Sequence, residues 1–423
     1  MGFIWSATNL VRLRSNGGIL RPPDLSTMSP TSCCGPMIRS LACLVLLLLA
    51  AGGCANRQPS APKVYTKPLA VGESALVEVG IDTLPKFRMT PSERNAFKQG
   101  IEYSLAYLAK PTSAKAFLPA MGVTHEQVVR SLEELRKLIA TANDDELDRA
   151  IRSRFRALMS VGCDNEGTVL FTGYYTPVLA ASYTKDGPYQ YPIYKCPPQL
   201  KDGGTHEKAH WQRRDGTLME CPDAAELAAG GYLKGHELAY LTDPWEVYAV
   251  RVNGSAKLRL PDGKEVIVGN AGTNGHDYKS IGLALIKDGK FTKDQLTFFS
   301  LRQYFHDHPD ELQHYAATNP RFAFFKIVSR GPNGKLDQPV TADVSIAVNK
   351  HIFPPGSPVI VQTMVRDGVR VQPYCALRLD QDDGGAMRAP GRADLYMGVG
   401  DAAEQRAGVQ AYEGRMWYLV LKN

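Results

Sequence analysis

The chain has 423 residues and is 44% hydrophobic, 22% charged and 9% aromatic. That composition belongs to a globular protein with a core. It excludes collagen-like and wholly disordered chains, and the length suits two domains better than one. The net charge is +6, and the first 53 residues, with four Arg against one Asp, carry half of it, so nothing in the remainder marks a nucleic-acid binder.

Leu41 to Ala51 is a charge-free apolar run of 11 residues. Spanning a bilayer takes about 20 apolar residues, whereas about 7–15 suit the h-region of a signal peptide. Arg39 supplies the positive n-region. Ala51-Gly52-Gly53 before Cys54 resembles a bacterial lipobox, in which the Cys is diacylated and becomes the mature N-terminus; Ala51 stands where that pattern usually has Leu. A plain secretory signal with an incidental Cys is the alternative. Residues 1–36, rich in Ser, Pro and Gly, read as an extension upstream of a start at Met37 or Met28. Residues 37–53 read as the signal peptide and 54–80 as a tether, polar and Pro-rich over Ala55 to Lys67. Ala55 rather than Asp after the lipidated Cys points to the periplasmic face of the outer membrane.

In that oxidising compartment Cys33, Cys34 and Cys43 are removed and Cys54 carries lipid. Cys163, Cys196, Cys221 and Cys375 remain, with three possible pairings. Cys196 and Cys221 bracket a polar loop, which favours pairing them and leaves Cys163 with Cys375; four free thiols is the alternative. None has a CxxC spacing, so a zinc ribbon or thioredoxin-like redox chemistry is not indicated.

Three helices follow, each with its own start signal. Thr90-Pro91-Ser92-Glu93 is a capping box with Pro at the first helical position, Thr124 with Gln127 starts a second helix, and Asn143 with Glu146 a third that runs through Leu158. Their apolar stripes are core faces. After Cys163 the pattern turns to strands: Thr168 to Thr172, ending at Gly173, then a hairpin of Leu258–Leu260 and Val266–Val268 about a Pro-Asp-Gly turn. Leu283 to Leu296 and the stretch from Leu301 read as helices. Strands return at Phe324–Val328, Val344–Val348, Val359–Val365, Tyr374–Leu379 and Trp417–Leu421. No parallel βαβ unit or repeat is visible. The reading is a mainly β protein whose barrel is built from both chain ends (81–177 and 326–423), with a smaller β-domain inserted at 178–325.

Several constellations could carry chemistry. Asp380, Asp382, Asp383 and Asp394 fall within 15 residues, around Gly384-Gly385. Asp394 has Ala393, Leu395 and Tyr396 for neighbours, a setting in which burial raises a carboxyl pKa and keeps it protonated, as a general acid requires. Turn-capping is the plain alternative for the cluster. Phe171-Thr-Gly-Tyr-Tyr-Thr-Pro177, with Tyr189, Tyr191 and Tyr194 beyond it, offers rings with hydroxyl handles for sugar stacking, although alternating Tyr is also ordinary strand composition. His206-Glu-Lys-Ala-His210 matches H-E-x-x-H, but it lies in polar loop sequence with no third ligand at a known spacing, so no metal is expected. Gly398-Val-Gly400 lacks the context of a phosphate loop, and no cofactor is expected.

Together these segments resemble the membrane-bound lytic murein transglycosylase A family over most of residues 80–421. The resemblance is carried by Phe171–Pro177, Tyr191-Pro-Ile-Tyr-Lys, Gly269-Asn-Ala-Gly-Thr-Asn-Gly-His276, Tyr278-Lys-Ser-Ile-Gly282 and Asn319–Phe325. It continues through Ser345-Ile-Ala-Val, Ile352–Gly356, Gln381-Asp-Asp-Gly-Gly-Ala-Met-Arg, Arg392-Ala-Asp-Leu-Tyr396, Arg406-Ala-Gly408 and Gly414–Trp417. It implies a double-psi β-barrel with an inserted β-domain and a glycan groove between them. It also implies non-hydrolytic cleavage of the β-1,4 bond between N-acetylmuramic acid and N-acetylglucosamine, leaving a 1,6-anhydromuramyl end. Asp394 is then the catalytic acid and Asp382 the supporting Asp. Thr172, Gly173, Tyr174, Tyr175, Asn274, Gly275, Tyr278, Ser280, Gly384 and Gly385 are the expected substrate-binding residues, with backbone N–H groups near Gly384-Gly385 as donors. Peptidoglycan glycan strands are the expected partner, with cell-wall synthesis or division proteins as further candidates. Asn349 departs from the pattern, which has Asp there. A non-catalytic peptidoglycan-binding scaffold is the alternative function.

Overall fold

The structure is a computed structural model that describes residues 63–201, 208–293 and 295–423. The readings of the signal peptide, of Cys54 and of His206 lie outside them. From Val64 onward the described residues fall in one unit.

The N-terminal part runs β1 (Leu76–Val79), α1 (Pro91–Leu108), α2 (His125–Thr141), α3 (Asp144–Arg154), β2 (Phe155–Ser160) and β3 (Val169–Thr176). Next come β4 (Val178–Ser182), β5 (Tyr191–Tyr194), β6 (Leu200–Lys201), β7 (His210–Gln212), β8 (Leu218–Glu220), α4 (Ala224–Ala229) and β9 (Glu237–Leu241). They are followed by α5 (Pro244–Asn253), β10 (Ser255–Arg259), β11 (Glu265–Thr273), α6 (Ile281–Lys287), α7 (Phe298–Asp307), α8 (Pro309–Ala317) and β12 (Ala323–Val328). The chain ends with β13 (Ser345–Ala347), β14 (Pro358–Asp367), β15 (Arg370–Asp382), β16 (Arg392–Val399), α9 (Asp401–Ala407) and β17 (Ala411–Leu421).

All three N-terminal helices start where the sequence places them, and the reciprocal capping bonds are present at Thr90/Glu93, Thr124/Gln127 and Asn143/Glu146. The third is shorter than expected. It stops at Arg154, and Phe155–Ser160 is strand β2, because β2 pairs with β1 on one side and β17 on the other. Phe155, Leu158 and their neighbours keep helical spacing by accident; the ladder satisfies their backbone. The helix expected over Leu283–Leu296 ends at Lys287, where Asp288 and the left-handed Gly289 break it.

Six strands close on themselves in the order β3–β16–β13–β15–β14–β17, with β17 returning to β3. This is the closed barrel expected of the fold class. Gly414 marks the point at which β17 changes partner: residues 411–414 pair with β3 and residues 415–418 with β14. A Cβ at Gly414 would lie 2.0 Å from the Gln362 carbonyl oxygen, a backbone contact that cannot yield. The ring contains parallel pairs, β3–β16 and β13–β15, and the second sheet another, β4–β10, none of which is visible as a βαβ pattern in sequence. That second sheet has the order β12–β11–β10–β4–β9–β5, beside a small β6–β7–β8 sheet.

The expected disulfides are not formed: Cys196, Cys221 and Cys375 are free thiols. Cys196 and Cys221 do meet in one apolar cluster with Trp211 and Phe324. Burial, aided by Cys196, pushes the Cys221 thiol up to about 12. Cys375 lies opposite Gln362 in the β14–β15 ladder, whereas Cys163 donates its N–H to Thr168 in the turn before β3.

Candidate functional site

Asp394 sits in mid-β16, level with Ala347 of β13 and Thr172 of β3. Strands on both sides bury it completely. The Thr172 hydroxyl donates to the Asp394 carboxylate, and Arg392 Nη2 lies 3.6 Å away while donating to Thr172 Oγ1 at 3.0 Å. Burial raises the Asp394 carboxyl above its usual range, and Arg392 opposes that rise. Burial thus favours the protonated form of this carboxyl, and Arg392 is the cation beside it when it ionises.

Alternation along β3 puts Tyr174 on the same face as Thr172. The Tyr174 hydroxyl donates to Asp382 Oδ2 at 2.8 Å, and Asp382 Oδ1 accepts the backbone N–H of Lys335 and of Asp383, both at 2.8 Å. Burial raises the Asp382 carboxyl, and these donors pull it back. Burial and the fields of Asp382 and Asp394 hold the Tyr174 phenol well above its ordinary value, so it stays a neutral donor. Tyr396 packs beside it, with ring centroids 5.0 Å apart.

The backbone of Asp382 is itself anchored. Buried Lys350 pairs with buried Asp380 and donates to the Asp382 carbonyl; Tyr418 donates to Asp380 at 2.9 Å. Burial, opposed by Lys350, pushes the Asp380 carboxyl up to about 6. From the other side, Gln381 Nε2 donates to the Gly100 carbonyl at 2.7 Å, tying β15 to α1. Asn349 accepts the His351 N–H at 2.8 Å and closes a turn next to Lys350.

Asp382 and Tyr174 open onto a cavity of about 350 Å³, walled on the barrel side by Asp383, Gly384 and Gly385 and on the far side by α5 and β10–β12. Arg251, Arg321, Lys326 and Asn270 line that far wall. Burial lowers Arg251 and Arg321 to about 10 each, which leaves both charged at neutral pH. Arg251 lies over the Phe322 ring, 4.0 Å from its centroid. A Cβ on Gly385 would lie 3.3 Å from Arg321 Nε, so the two walls meet closely there.

Not every expected residue faces this cavity. Gly173 and Tyr175 alternate away from Tyr174: Gly173 presses on Ala407 of α9, and Tyr175 packs edge-on against Phe298 of α7. Asn274 is buried with its amide spent internally, donating to Pro222 and Pro320 carbonyls and accepting the Phe322 N–H. Gly275 forms a left-handed turn beside it. Tyr278 is half-buried, with its hydroxyl turned inward next to those of Tyr248 and Ser280, the residue that precedes α6. The Gly384 N–H is occupied by the Asp383 carboxylate at 2.7 Å. His210 lies on strand β7, not on the helix that an H-E-x-x-H site needs. Lys350, Arg251, Arg321 and Lys326 were not anticipated: isolated cations carry no periodic or motif signal, and only the fold brings them together.

Two family models match the chain, the MltA specific insert domain over residues 170–326 and the 3D domain over residues 344–420. The membrane-bound lytic murein transglycosylase A of Escherichia coli K12 is 34% identical over 264 residues, 61% of this chain and 67% of that protein. The structure of E. coli MltA with bound chitohexaose aligns with a TM-score of 0.64 at 27% identity, covering 86% of this chain and 98% of that one. A membrane-bound lytic murein transglycosylase from Agrobacterium tumefaciens has a TM-score of 0.68 at 24% identity, covering 82% and 98%, which is a likeness of fold. The matches place the protein among the lytic transglycosylases. The chain belongs to the membrane-bound lytic murein transglycosylase A family.

Proposed function

We propose that the protein cleaves the β-1,4 bond between N-acetylmuramic acid and N-acetylglucosamine in peptidoglycan without water, leaving 1,6-anhydromuramyl ends, with Asp394 as both acid and base. The observation that carries this reading is the fully buried Asp394 carboxyl, raised by that burial, which accepts from the Thr172 hydroxyl and is flanked by Arg392. A hydrolytic glycosidase pairs two carboxylates, about 5–5.5 or 6.5–9.5 Å apart, to activate a nucleophile or a water. Here the nucleophile is the sugar's own C6 hydroxyl, so one carboxyl is enough.

In the first step the Asp394 proton moves to the glycosidic oxygen. The C1–O bond breaks, its electron pair goes to the departing sugar, and C1 becomes an oxocarbenium centre. Arg392 and Thr172 stabilise the new carboxylate. In the second step the C6 oxygen attacks C1 and its proton passes to Asp394, which restores the acid. Tyr174, its hydroxyl donating to Asp382, accepts a substrate N–H or O–H at the groove wall, and Arg251, Arg321 and Lys326 hold the glycan and its peptide carboxylates on the opposite wall. Chitohexaose bound to the E. coli relative supports a groove that accepts linear acetamido sugars.

Location follows from the lipobox-like Ala51-Gly52-Gly53-Cys54: a diacylated Cys54 anchors the chain in the outer membrane on its periplasmic face. Relatives are named membrane-bound, and no helix among the described residues is long and apolar enough to cross a membrane. Fatty-acid labelling that persists in Cys54→Ser would refute the anchor.

Digestion of purified sacculi with the protein and with Asp394→Asn tests the activity. Mass spectrometry should find products one water lighter than reducing-end muropeptides, and none with the variant. Reducing ends would indicate an ordinary muramidase, and bound but uncut glycan a scaffold.

A further inference from the structure

Leu395 and Met397 alternate with Asp394 and Tyr396 along β16, so they face the opposite side of the sheet from the candidate site. On that side they line a second cavity of about 320 Å³, closed by the β14–β15 hairpin and α9. Three guanidinium groups border it, from Arg366, Arg378 and Arg406, against the single carboxylate of Asp343.

Arg378 is the unusual member. It is only 2% exposed, and its Nε has no hydrogen-bond partner among the described residues. Tyr374 covers one face of the guanidinium, 5.2 Å from the ring centroid. Its nearest carboxylate oxygen, on Asp343, is 3.8 Å from Nη2, beyond hydrogen-bond reach. Asp343 is already engaged: both its oxygens hold Arg406, at 2.5 and 2.9 Å. Arg366 spends its Nε on the Tyr412 hydroxyl at 3.2 Å. Among the lining residues cations exceed carboxylates by two, with Glu93 a more distant negative charge on Arg378, and a buried donor is left unmade, a costly state that an anion relieves. Val365, Leu395 and Met397 supply apolar wall around these charges.

We propose that this cavity binds a carboxylate carried on a small apolar body, of the kind that ends a short peptide. The guanidinium fork of Arg378 matches the two oxygens of a carboxylate. The apolar wall takes the attached methyl groups, which a bare inorganic anion would leave unfilled. β16 separates this site from the groove, so the proposal holds whether or not Asp394 performs the chemistry proposed above.

Titration calorimetry of the full chain in a phosphate-free buffer tests it, with N-acetyl-alanyl-alanine as the probe. Saturable binding of one dipeptide per chain is expected. The C-terminal amide of the same dipeptide should bind at least about tenfold more weakly, the loss of one charge-assisted hydrogen bond, and inorganic phosphate about tenfold more weakly because it leaves the apolar wall unfilled. Arg378→Met should lose binding by a similar factor. Because buried Arg378 also supports the fold, Arg366→Gln, at a partly exposed position, is the second variant: several-fold weaker binding with an unchanged melting midpoint. Equal binding of acid and amide, phosphate as tight as the dipeptide, no saturable binding, or unchanged affinity in Arg366→Gln would each overturn the proposal.

Discussion

The barrel side of the groove carries the Asp382 and Asp383 carboxylates, with Asp394 fully buried in the same barrel and not among the lining residues, and the facing wall holds cations. Asp394 is fixed by the strands on either side of it, and Asp382 by three donors, one of them Tyr174. Across the cavity, Arg251, Arg321 and Lys326 come from α5, from the approach to β12 and from β12 itself, with longer side chains and looser tethers: Arg321 bonds the His276 carbonyl at 3.2 Å, and Lys326 is exposed. One side buries its carboxyls between paired strands, the setting in which the proposed mechanism holds and returns a proton. The other presents long, more exposed cationic side chains, which under the proposed function grip the polymer. The difference predicts that damage to the barrel wall lowers kcat, while damage to the opposite wall raises KM.

The largest expected effect is at Asp394. Replacing it by Asn should lower turnover by about 10²–10⁴-fold, the usual worth of a positioned acid and base. Its melting midpoint should not fall, since the variant removes a buried ionisable group. Turnover within twofold of the parent, measured on the same sacculi, would place the acid elsewhere.

Next is the support beneath Asp382. Lys350→Met strands the Asp380 charge and should cost about 3–5 kcal/mol in urea unfolding. The pH dependence carries a sign that can be checked. The Asp380 carboxyl at about 6 lies above its ordinary 3.8, so the native state holds the proton more tightly than the unfolded chain. Stability from this group is full below the unfolded value and declines as pH rises from about 4 to about 6, then levels off. Lys350 is a cause that lowers Asp380, so in Lys350→Met the decline should continue to higher pH. Identical stability profiles for the two proteins would show that the pair does not hold this wall.

Smaller effects belong to the cationic wall. Arg251→Met and Arg321→Gln should each raise KM by about tenfold, the loss of one charge-assisted hydrogen bond, with kcat little changed. A fall in kcat at constant KM would move these residues to the chemical step. For the parent, kcat should fall as pH rises through the elevated Asp394 pKa, because only its protonated form can start the reaction. A rate that climbs over that range contradicts Asp394 as the acid.

Local features of the fold were legible because their causes are local. Thr90/Glu93, Thr124/Gln127 and Asn143/Glu146 are three residues apart, so sequence alone displays both partners. Asp394 was legible because its apolar neighbours announce burial. Phe155–Leu158 misled because it continues a helical stripe while β1 and β17, far away in sequence, capture it. Gly173 and Tyr175 sit in the same motif as Thr172 and Tyr174, and only strand alternation separates the pair that meets the carboxylates from the pair that meets α9 and α7. Lys350 and the arginines of the far wall depend entirely on long-range pairing.

The most direct test of the central claim is the source of the oxygen in the product. Sacculi digested in heavy-oxygen water should yield anhydro-muropeptides with no label at C1, because the C6 hydroxyl of the same sugar closes the ring. Heavy oxygen at C1 of the newly formed ends would mean that water is the nucleophile, and would contradict the single-carboxyl mechanism.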